Sequence, residues 1–213
     1  TRRSSDLTGG YNMIYIAATH NENKIKEFDR ILKPLGISVI SAEECGAKLP
    51  EVNETGKTFA ENAELKAKSA CKATGMPAIA DDSGLMVDAL GGRPGVYSAR
   101  YAGEGASDEE KIEKLMIELK DTPDGQRTAH FVCAICCYFP DDSKIEVEGS
   151  CDGSIGFAPR GNNGFGYDPI FFTDDNKTFA ELSSIQKDAM SHRGKALRAL
   201  AEKLREKLKE KKF

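Results

Sequence analysis

The sequence lacks three features that define large classes of protein. No apolar run in its 213 residues approaches the ~20 residues that a membrane-spanning helix needs, and no apolar signal-peptide segment opens the chain. A positive net charge is also missing, because 30 Lys and Arg stand against 34 Asp and Glu, for a net charge of −4. A general DNA- or RNA-binding protein needs positive charge to displace counterions from the phosphate backbone. We therefore expect neither a membrane nor a nucleic acid polymer as a partner.

The six cysteines do not have the spacing of a metal site. Cys133 and Cys136 are not followed by a second ligand pair, and within a strand their side chains would point to opposite faces. Packing in the core explains them better. Since the chain has none of the features of a small secreted protein, reduced thiols in the cytoplasm are expected.

The apolar pattern alternates between strands and helices. Strands are predicted at 13–18, 37–40, 77–80, 129–139 and from residue 145. Helices are predicted after Lys24, from Thr58 and Ser107, which both open a capping-box pattern, and at the C-terminal end. Residues 1–10 are polar and aperiodic, which predicts a mobile leader. Residues 11–213 are then expected to form one α/β domain around a mixed sheet.

The first of four polar segments follows the first predicted strand. It consists of Thr19, His20, Asn21, Glu22, Asn23 and Lys24. Because it enters a helix, its free backbone amides and the positive end of the helix dipole suit a phosphate group. The Gly-x-x-x-x-Gly-Lys-Ser/Thr pattern of a P-loop is absent, which argues against kinase or GTPase chemistry. A merely polar helix start is the alternative interpretation.

Two adjacent carboxylates, Asp81 and Asp82, stand at the predicted end of the third main strand. Like charges repel and their burial is costly, and a divalent cation would relieve both costs. Oxygen ligands favour Mg²⁺, and the nearby acidic segment 49–54 could supply a further ligand. An Asp-rich turn is the alternative.

The remaining two segments lie in the C-terminal half. The glycine-rich stretch 161–169 carries aromatic side chains that could stack on a base, with free main-chain groups to bind the edge of the base. Ser191, His192 and Arg193 follow Lys187, and the guanidinium of Arg193 suits carbonyl or phosphate oxygens. For the stretch 161–169 the alternative is a simple turn, and for His192 the alternative is a structural role.

Taken together and in this order, these segments resemble the inosine triphosphate pyrophosphatase (Ham1-like) family. The matching stretches are Thr19-x-Asn21-x-x-Lys24, Glu54-Thr55-Gly56 with Phe59-x-Glu61-Asn62-Ala63-x-x-Lys66-Ala67, Ala80 to Leu85, Gly91 to Tyr101, Phe165 to Pro169, and Ser191-His192-Arg193. The resemblance spans roughly residues 14–204. Each motif alone is weak, but six in register are specific.

The resemblance implies an enzyme that hydrolyses non-standard purine nucleoside triphosphates such as ITP, dITP and XTP to the monophosphate and pyrophosphate. It implies an α/β fold with an elongated mixed β-sheet, flanking helices and two lobes around a nucleotide cleft. A homodimer that needs Mg²⁺ is implied as well.

The resemblance also assigns roles to individual residues. Asp82 would be the proton acceptor and a metal ligand, with Glu51 as the second metal ligand. The triphosphate would be held by residues 19–24, Lys66 and Lys187. The sugar and base would be held by Ser83, Phe165, Gly166, Tyr167, Asp168, His192 and Arg193.

Two other functions remain open at this point. One is a pyrophosphatase of the related septum-formation-inhibitor (Maf-like) family, which acts on pyrimidine or modified nucleotides, although the motifs at 165–168 and 191–193 argue against it. The other is a nucleotide-binding module without catalysis, which would not need a metal-activated water beside Asp82.

Overall fold

The computed structural model describes residues 14–210, so the leader predicted at 1–10 lies outside the described residues. Within this range one seven-stranded mixed sheet is flanked by α-helices, which confirms the expected fold class. The strands are β1 (Ile14–Ala17), β2 (Ser38–Ser41), β3 (Ala78–Val87), β4 (Arg93–Pro94), β5 (Thr128–Tyr138), β6 (Lys144–Ile155) and β7 (Phe171–Phe172). The helices are α1 (Glu22–Leu32), α2 (Phe59–Thr74), α3 (Asp108–Glu118), α4 (Ser184–Met190) and α5 (His192–Glu210). None of these helices is long and apolar enough to cross a membrane.

The strand order is β2-β1-β3-β5-β6-β7, with β4 beside the far end of β3. β1 runs parallel to β2 and β3, whereas β3, β5, β6 and β7 pair antiparallel in succession. The long central strand β5 is apolar on both faces because helices cover both. α2 packs on one face, and α5 packs on the other together with α1.

The core consists of three apolar clusters along β3 and β5. At one end, Phe28, Leu197 and their neighbours cover one face of the sheet, and the small side chains of α2 cover the other. Cys133 belongs to the first cluster and Cys136 to the second, so they lie on opposite faces as predicted. The third cluster, around Phe171, lies at the other end of the strands.

The central edge of β3 is left open by its neighbours. β1 reaches only Ala78 and Ile79, and β4 pairs only with Met86 and Val87. The stretch 80–85 therefore faces no other described strand on that side. A Cβ on Gly84 would lie 2.4 Å from the carbonyl oxygen of Gly95, so only glycine allows this close approach.

The two predicted capping boxes have different outcomes. At the start of α3, Ser107 and Glu110 satisfy each other's backbone amides, as predicted. At the start of α2, Thr58 Oγ1 accepts from the Glu61 amide, but the Glu61 carboxylate accepts from the Lys57 amide instead of that of Thr58. The box at Thr58 is therefore only half formed.

Candidate active site

A cavity of about 270 Å³ opens beside the free edge of β3. It joins the loop after β1, the middle of β3, α2, the first turn of α3, the glycine-rich loop and the start of α5. Most of the predicted site residues line it, namely Asn21, Asn23, Lys24, Lys66, Asp82, Ser83, Phe165, Gly166, Tyr167, Asp168, Lys187, His192 and Arg193. The lining also contains Glu54, from the acidic segment expected to supply a further ligand, and four residues to which the sequence assigned no role, Ser98, Asp108, Lys111 and Phe131.

Thr19, His20 and Glu22 of the first loop do not line the cavity. Thr19 Oγ1 accepts from the Asn21 amide at 3.1 Å, so it holds the turn before α1. His20 lies beside Glu43, and the Glu22 side chain is 85% exposed. Lys24 is therefore the residue of this loop that brings a positive charge to the cavity.

Asp81 and Asp82 lie within β3, not at its end as predicted. Consecutive residues of a strand point to opposite faces, so the two carboxylates diverge. Asp81 lies 3.0 Å from Lys24 Nζ and accepts from Arg193 on the α5 side. Asp82 accepts from Asn62 Nδ2 at 3.1 Å and from Lys66 Nζ at 3.0 Å on the α2 side. The two carboxylates therefore do not converge, and Asp82 is the one of the pair that lines the cavity.

The pKa values of the two aspartates are shifted in opposite directions. Burial raises the pKa of Asp82 above its usual value, and nearby Glu54 adds to the rise, while Lys66 only partly opposes it. Burial acts on Asp81 in the same sense, but Lys24 and Arg193 outweigh it and hold the pKa of Asp81 below its usual value. Asp82 is thus the more basic carboxylate and the one that reaches the cavity.

Glu54 and Asp82 converge on the ammonium group of Lys66. Lys66 Nζ donates to Glu54 Oε1 at 2.8 Å and to Asp82 Oδ1 at 3.0 Å. Glu51, the predicted second metal ligand, is exposed and does not line the cavity. In residues 14–210 no group of three or more His, Cys, Asp or Glu side chains has the geometry of a metal site. The carboxylate pair that meets at the cavity is therefore Glu54 and Asp82.

A buried ion network lies beside the cavity, which three of its cations, Lys24, Lys187 and Arg193, help to line. At its centre, Glu27 of α1 accepts from Lys187 Nζ at 3.3 Å and from Arg193 Nη1 at 2.6 Å. Lys187 also donates to Asp168 at 2.6 Å. Three carboxylates and three cations balance in this network: Glu27, Asp81 and Asp168 against Lys24, Lys187 and Arg193.

Glu27 was missed by reasoning from sequence. A weak signal existed, since Glu27 follows Lys24 by three residues and precedes the buried Phe28, which places a carboxylate on the inner side of an amphipathic helix. Its partners lie 160 and 166 residues away, and no local pattern predicts them.

Phe165 covers two cations of the network. Its ring centroid lies 4.8 Å from Lys187 Nζ and 5.6 Å from Arg193 Cζ, which are cation–π distances. Tyr167, by contrast, is buried and donates its hydroxyl to the carbonyl oxygen of Ser98. Phe165 is therefore the aromatic ring of this loop that stays partly exposed at the cavity.

Two backbone amides of the glycine-rich loop are hydrogen-bonded within the protein, whereas the sequence predicted free main-chain groups there. The Phe165 amide donates to Asp168 Oδ2 at 2.9 Å, and the Gly166 amide donates to Asp108 Oδ2 at 2.6 Å. These two amides are already bound to carboxylates, so they position the loop and are not available to the edge of a base.

His192 is a neutral, buried ring. It stacks on Phe131 with a centroid distance of 4.6 Å and an interplanar angle of 9°. Burial lowers the pKa of His192 well below its usual value, and the charges of Arg193 and Lys187 lower it further. Its Nδ1 atom is buried with no hydrogen-bond partner in the described part of the chain. A neutral imidazole therefore faces the cavity beside the cations.

Comparisons with known proteins all relate this chain to Ham1 proteins and dITP/XTP pyrophosphatases. The model of the Ham1 family matches residues 15–203. A dITP/XTP pyrophosphatase from Bacillus subtilis (strain 168) is 52% identical over 190 residues, which cover 89% of this chain and 96% of that protein. Another dITP/XTP pyrophosphatase, from Shigella flexneri, is 49% identical over 89% of this chain and 97% of its own length. The structure of a HAM1 protein from Coxiella burnetii superimposes with a TM-score of 0.82 at 43% identity, covering 91% of this chain and 99% of that one.

Proposed function

Since this chain belongs to the Ham1 family, we propose that it hydrolyses non-standard purine nucleoside triphosphates (ITP, dITP and XTP) to the monophosphate and pyrophosphate. The main support is the cavity beside β3, which is lined by two cations, Lys24 and Lys66, by the carboxylate of Asp82 and by an aromatic ring, Phe165, that is available to a base. The similarity to dITP/XTP pyrophosphatases from Bacillus subtilis and Shigella flexneri supports the same substrate class.

The chemical roles follow from charge and protonation. A triphosphate repels an attacking water, so Lys24 and Lys66 would neutralise charge as it moves onto the leaving pyrophosphate. Asp82 would orient that water and accept its proton, because its raised pKa makes it a better base than an ordinary aspartate. Asn62 and Lys66 keep the two Asp82 oxygens in place.

The residues present fit a Mg²⁺ ion. Mg²⁺ in nucleotide sites is held by one or two carboxylates together with substrate phosphates and water. Glu54 and Asp82 would supply the two carboxylates, since both already meet one cation, Lys66 Nζ. When bound, Mg²⁺ would neutralise phosphate charge.

Base selection would rest on hydrogen-bond matching. Hypoxanthine and xanthine present a keto oxygen at position 6, whereas adenine presents an amine. A donor from His192 or Arg193 would therefore face another donor in adenine, and a mispaired buried polar group costs about 1–3 kcal/mol. Guanine shares the keto group, so its rejection would have to occur at its 2-amino group.

The substrate class is tested by a panel of ITP, dITP, XTP, ATP, GTP and dTTP with separate detection of pyrophosphate and phosphate. We expect pyrophosphate from ITP, dITP and XTP at kcat/KM values at least about 100-fold above those for ATP and GTP. Release of phosphate alone would contradict the proposed bond cleavage. A preference for the pyrimidine nucleotide would favour the Maf-like activity, and tight ITP binding without product would favour a binding module.

The metal proposal is tested by titrating Mg²⁺ into the EDTA-treated protein with ITP. We expect no turnover without Mg²⁺. Glu54→Gln should raise the Mg²⁺ concentration needed for half-maximal activity by at least about 10–100-fold, the range that loss of even an outer-shell partner of a metal ligand causes. Glu51→Gln is the matched control and should behave like the unaltered protein, since Glu51 lies outside the cavity. A higher Mg²⁺ requirement in Glu51→Gln, with none in Glu54→Gln, would show that Glu51 and not Glu54 is the second metal ligand.

We also propose a homodimer in the cytoplasm. The family resemblance supports the dimer. The cytoplasmic setting is supported by the six cysteines, which are all free thiols, as expected of a reducing compartment.

A further inference from the structure

The first turn of α3 is tied to the glycine-rich loop through one carboxylate. Asp108 Oδ2 accepts from the Gly166 amide at 2.6 Å across 58 residues of sequence. The other oxygen of Asp108 lies 2.6 Å from Lys111 Nζ, and both side chains line the cavity. The contact is charge-assisted, and such hydrogen bonds are stronger than those between neutral groups.

The loop depends on contacts of this kind for its position. Gly161, Gly164 and Gly166 all have a positive φ, and glycine in this region restricts the backbone little. Asn163 holds one end of the loop, with its amide bonded to Ala180 and its side chain bonded to Leu182. The Gly166 amide is the point at which the loop is bound to α3, immediately next to Phe165.

Helix α3 is a firm support for this contact. Leu115 and Leu119 are completely buried at its C-terminal end, and Ser107 closes its N-terminal end with a capping box. The buried guanidinium of Arg127 donates to the carbonyl oxygen of Leu119 at 2.9 Å, where the helix ends. Since buried Leu115 and Leu119 anchor α3 in the core, Asp108 in its first turn offers the Gly166 amide an acceptor on a rigid element.

We propose that Asp108 is a positioning residue for nucleotide recognition, which acts by holding the Gly166 amide and thereby fixes the ring of Phe165 over the cavity. This inference rests on the proposed function of the same cavity. Lys111 balances the charge of Asp108 and keeps the carboxylate turned toward the loop. Asp108 itself has no part in the chemical step.

The position of the contact predicts which kinetic constant changes. We expect Asp108→Ala to raise KM for ITP by about 10-fold, the effect of losing one charge-assisted hydrogen bond, while kcat changes less than about 3-fold. Asp108→Asn keeps an acceptor oxygen and should restore most of the affinity. Hydrogen–deuterium exchange of residues 161–168 should be faster in Asp108→Ala than in the unaltered protein.

Glu109→Ala is the matched control. Glu109 also lies in the first turn of α3, so its loss removes the same interaction with the helix dipole, but its side chain does not line this cavity. We expect KM and loop exchange to be unchanged in Glu109→Ala. The inference is overturned if Asp108→Ala leaves both KM and loop exchange unchanged, or if Glu109→Ala reproduces both effects. If the unaltered protein hydrolyses none of the triphosphates, the proposed function fails, and loop exchange alone then decides whether Asp108 holds the loop.

Discussion

Replacing Asp82 by Asn is expected to lower kcat for ITP by about 10²–10⁴-fold, the usual contribution of a general base, while the protein stays folded. Asp82 lines the cavity on the α2 side of β3 with a raised pKa, and Lys66 and Asn62 hold its oxygens. Asparagine has the same size and can accept from Lys66, but it cannot take a proton from water. Initial rates at saturating ITP and Mg²⁺ measure the loss, and thermal unfolding checks the fold.

The control for this variant is Asp174→Asn, an exposed aspartate outside the cavity, which should keep full activity. The pH dependence gives a second check. Because the base must be ionised, kcat/KM of the unaltered protein should fall as the pH drops through the pKa of Asp82, which burial raises in the free protein. Activity within about 3-fold of the unaltered protein in Asp82→Asn would remove Asp82 from the mechanism.

Replacing Glu27 by Gln is expected to destabilise the protein by about 3–5 kcal/mol, the usual cost of breaking a buried ion pair. The side chain is 9% exposed and neutralises Lys187 and Arg193. Glutamine fills the same space, but it leaves the buried network with one uncompensated positive charge. Urea unfolding at pH 7 measures the difference in the free energy of unfolding.

Glu22→Gln provides the control on the same helix. Its side chain is 85% exposed and pairs with Lys26 across one helical turn, so the change should cost less than about 0.5 kcal/mol. A cost at Glu27 no larger than this would contradict the buried network.

The sign of the pH effect follows from the pKa of Glu27. Burial alone would raise this pKa, but Arg193 and Lys187 outweigh burial and hold it below the value of the unfolded chain. The stabilisation by Glu27 is therefore complete above the unfolded pKa and is lost as the pH falls through the folded pKa. Glu27→Gln should lack this part of the acid-induced loss of stability.

Local patterns were sufficient for much of the fold. The third main strand is the instructive exception, since its predicted end at residue 80 is followed by seven more residues of β3. Two adjacent aspartates argue against a buried strand when they are considered alone. The ladder with β5 and the cations on each face compensate for their burial, and both sources of compensation come from distant parts of the chain.

By itself the sequence determined the alternation of strands and helices, the family motifs and the segments that meet at the cavity, because periodicity, capping and motif spacing are local properties. Only the tertiary structure decided that Asp81 and Asp82 serve opposite faces, that Glu54 and not Glu51 reaches the cavity, and that Glu27 and Asp108 hold the cations and the loop. Each of these depends on which side chain meets which partner after packing. For Glu27 and Asp108 the partner lies between 58 and 166 residues away, beyond the range of any sequence pattern.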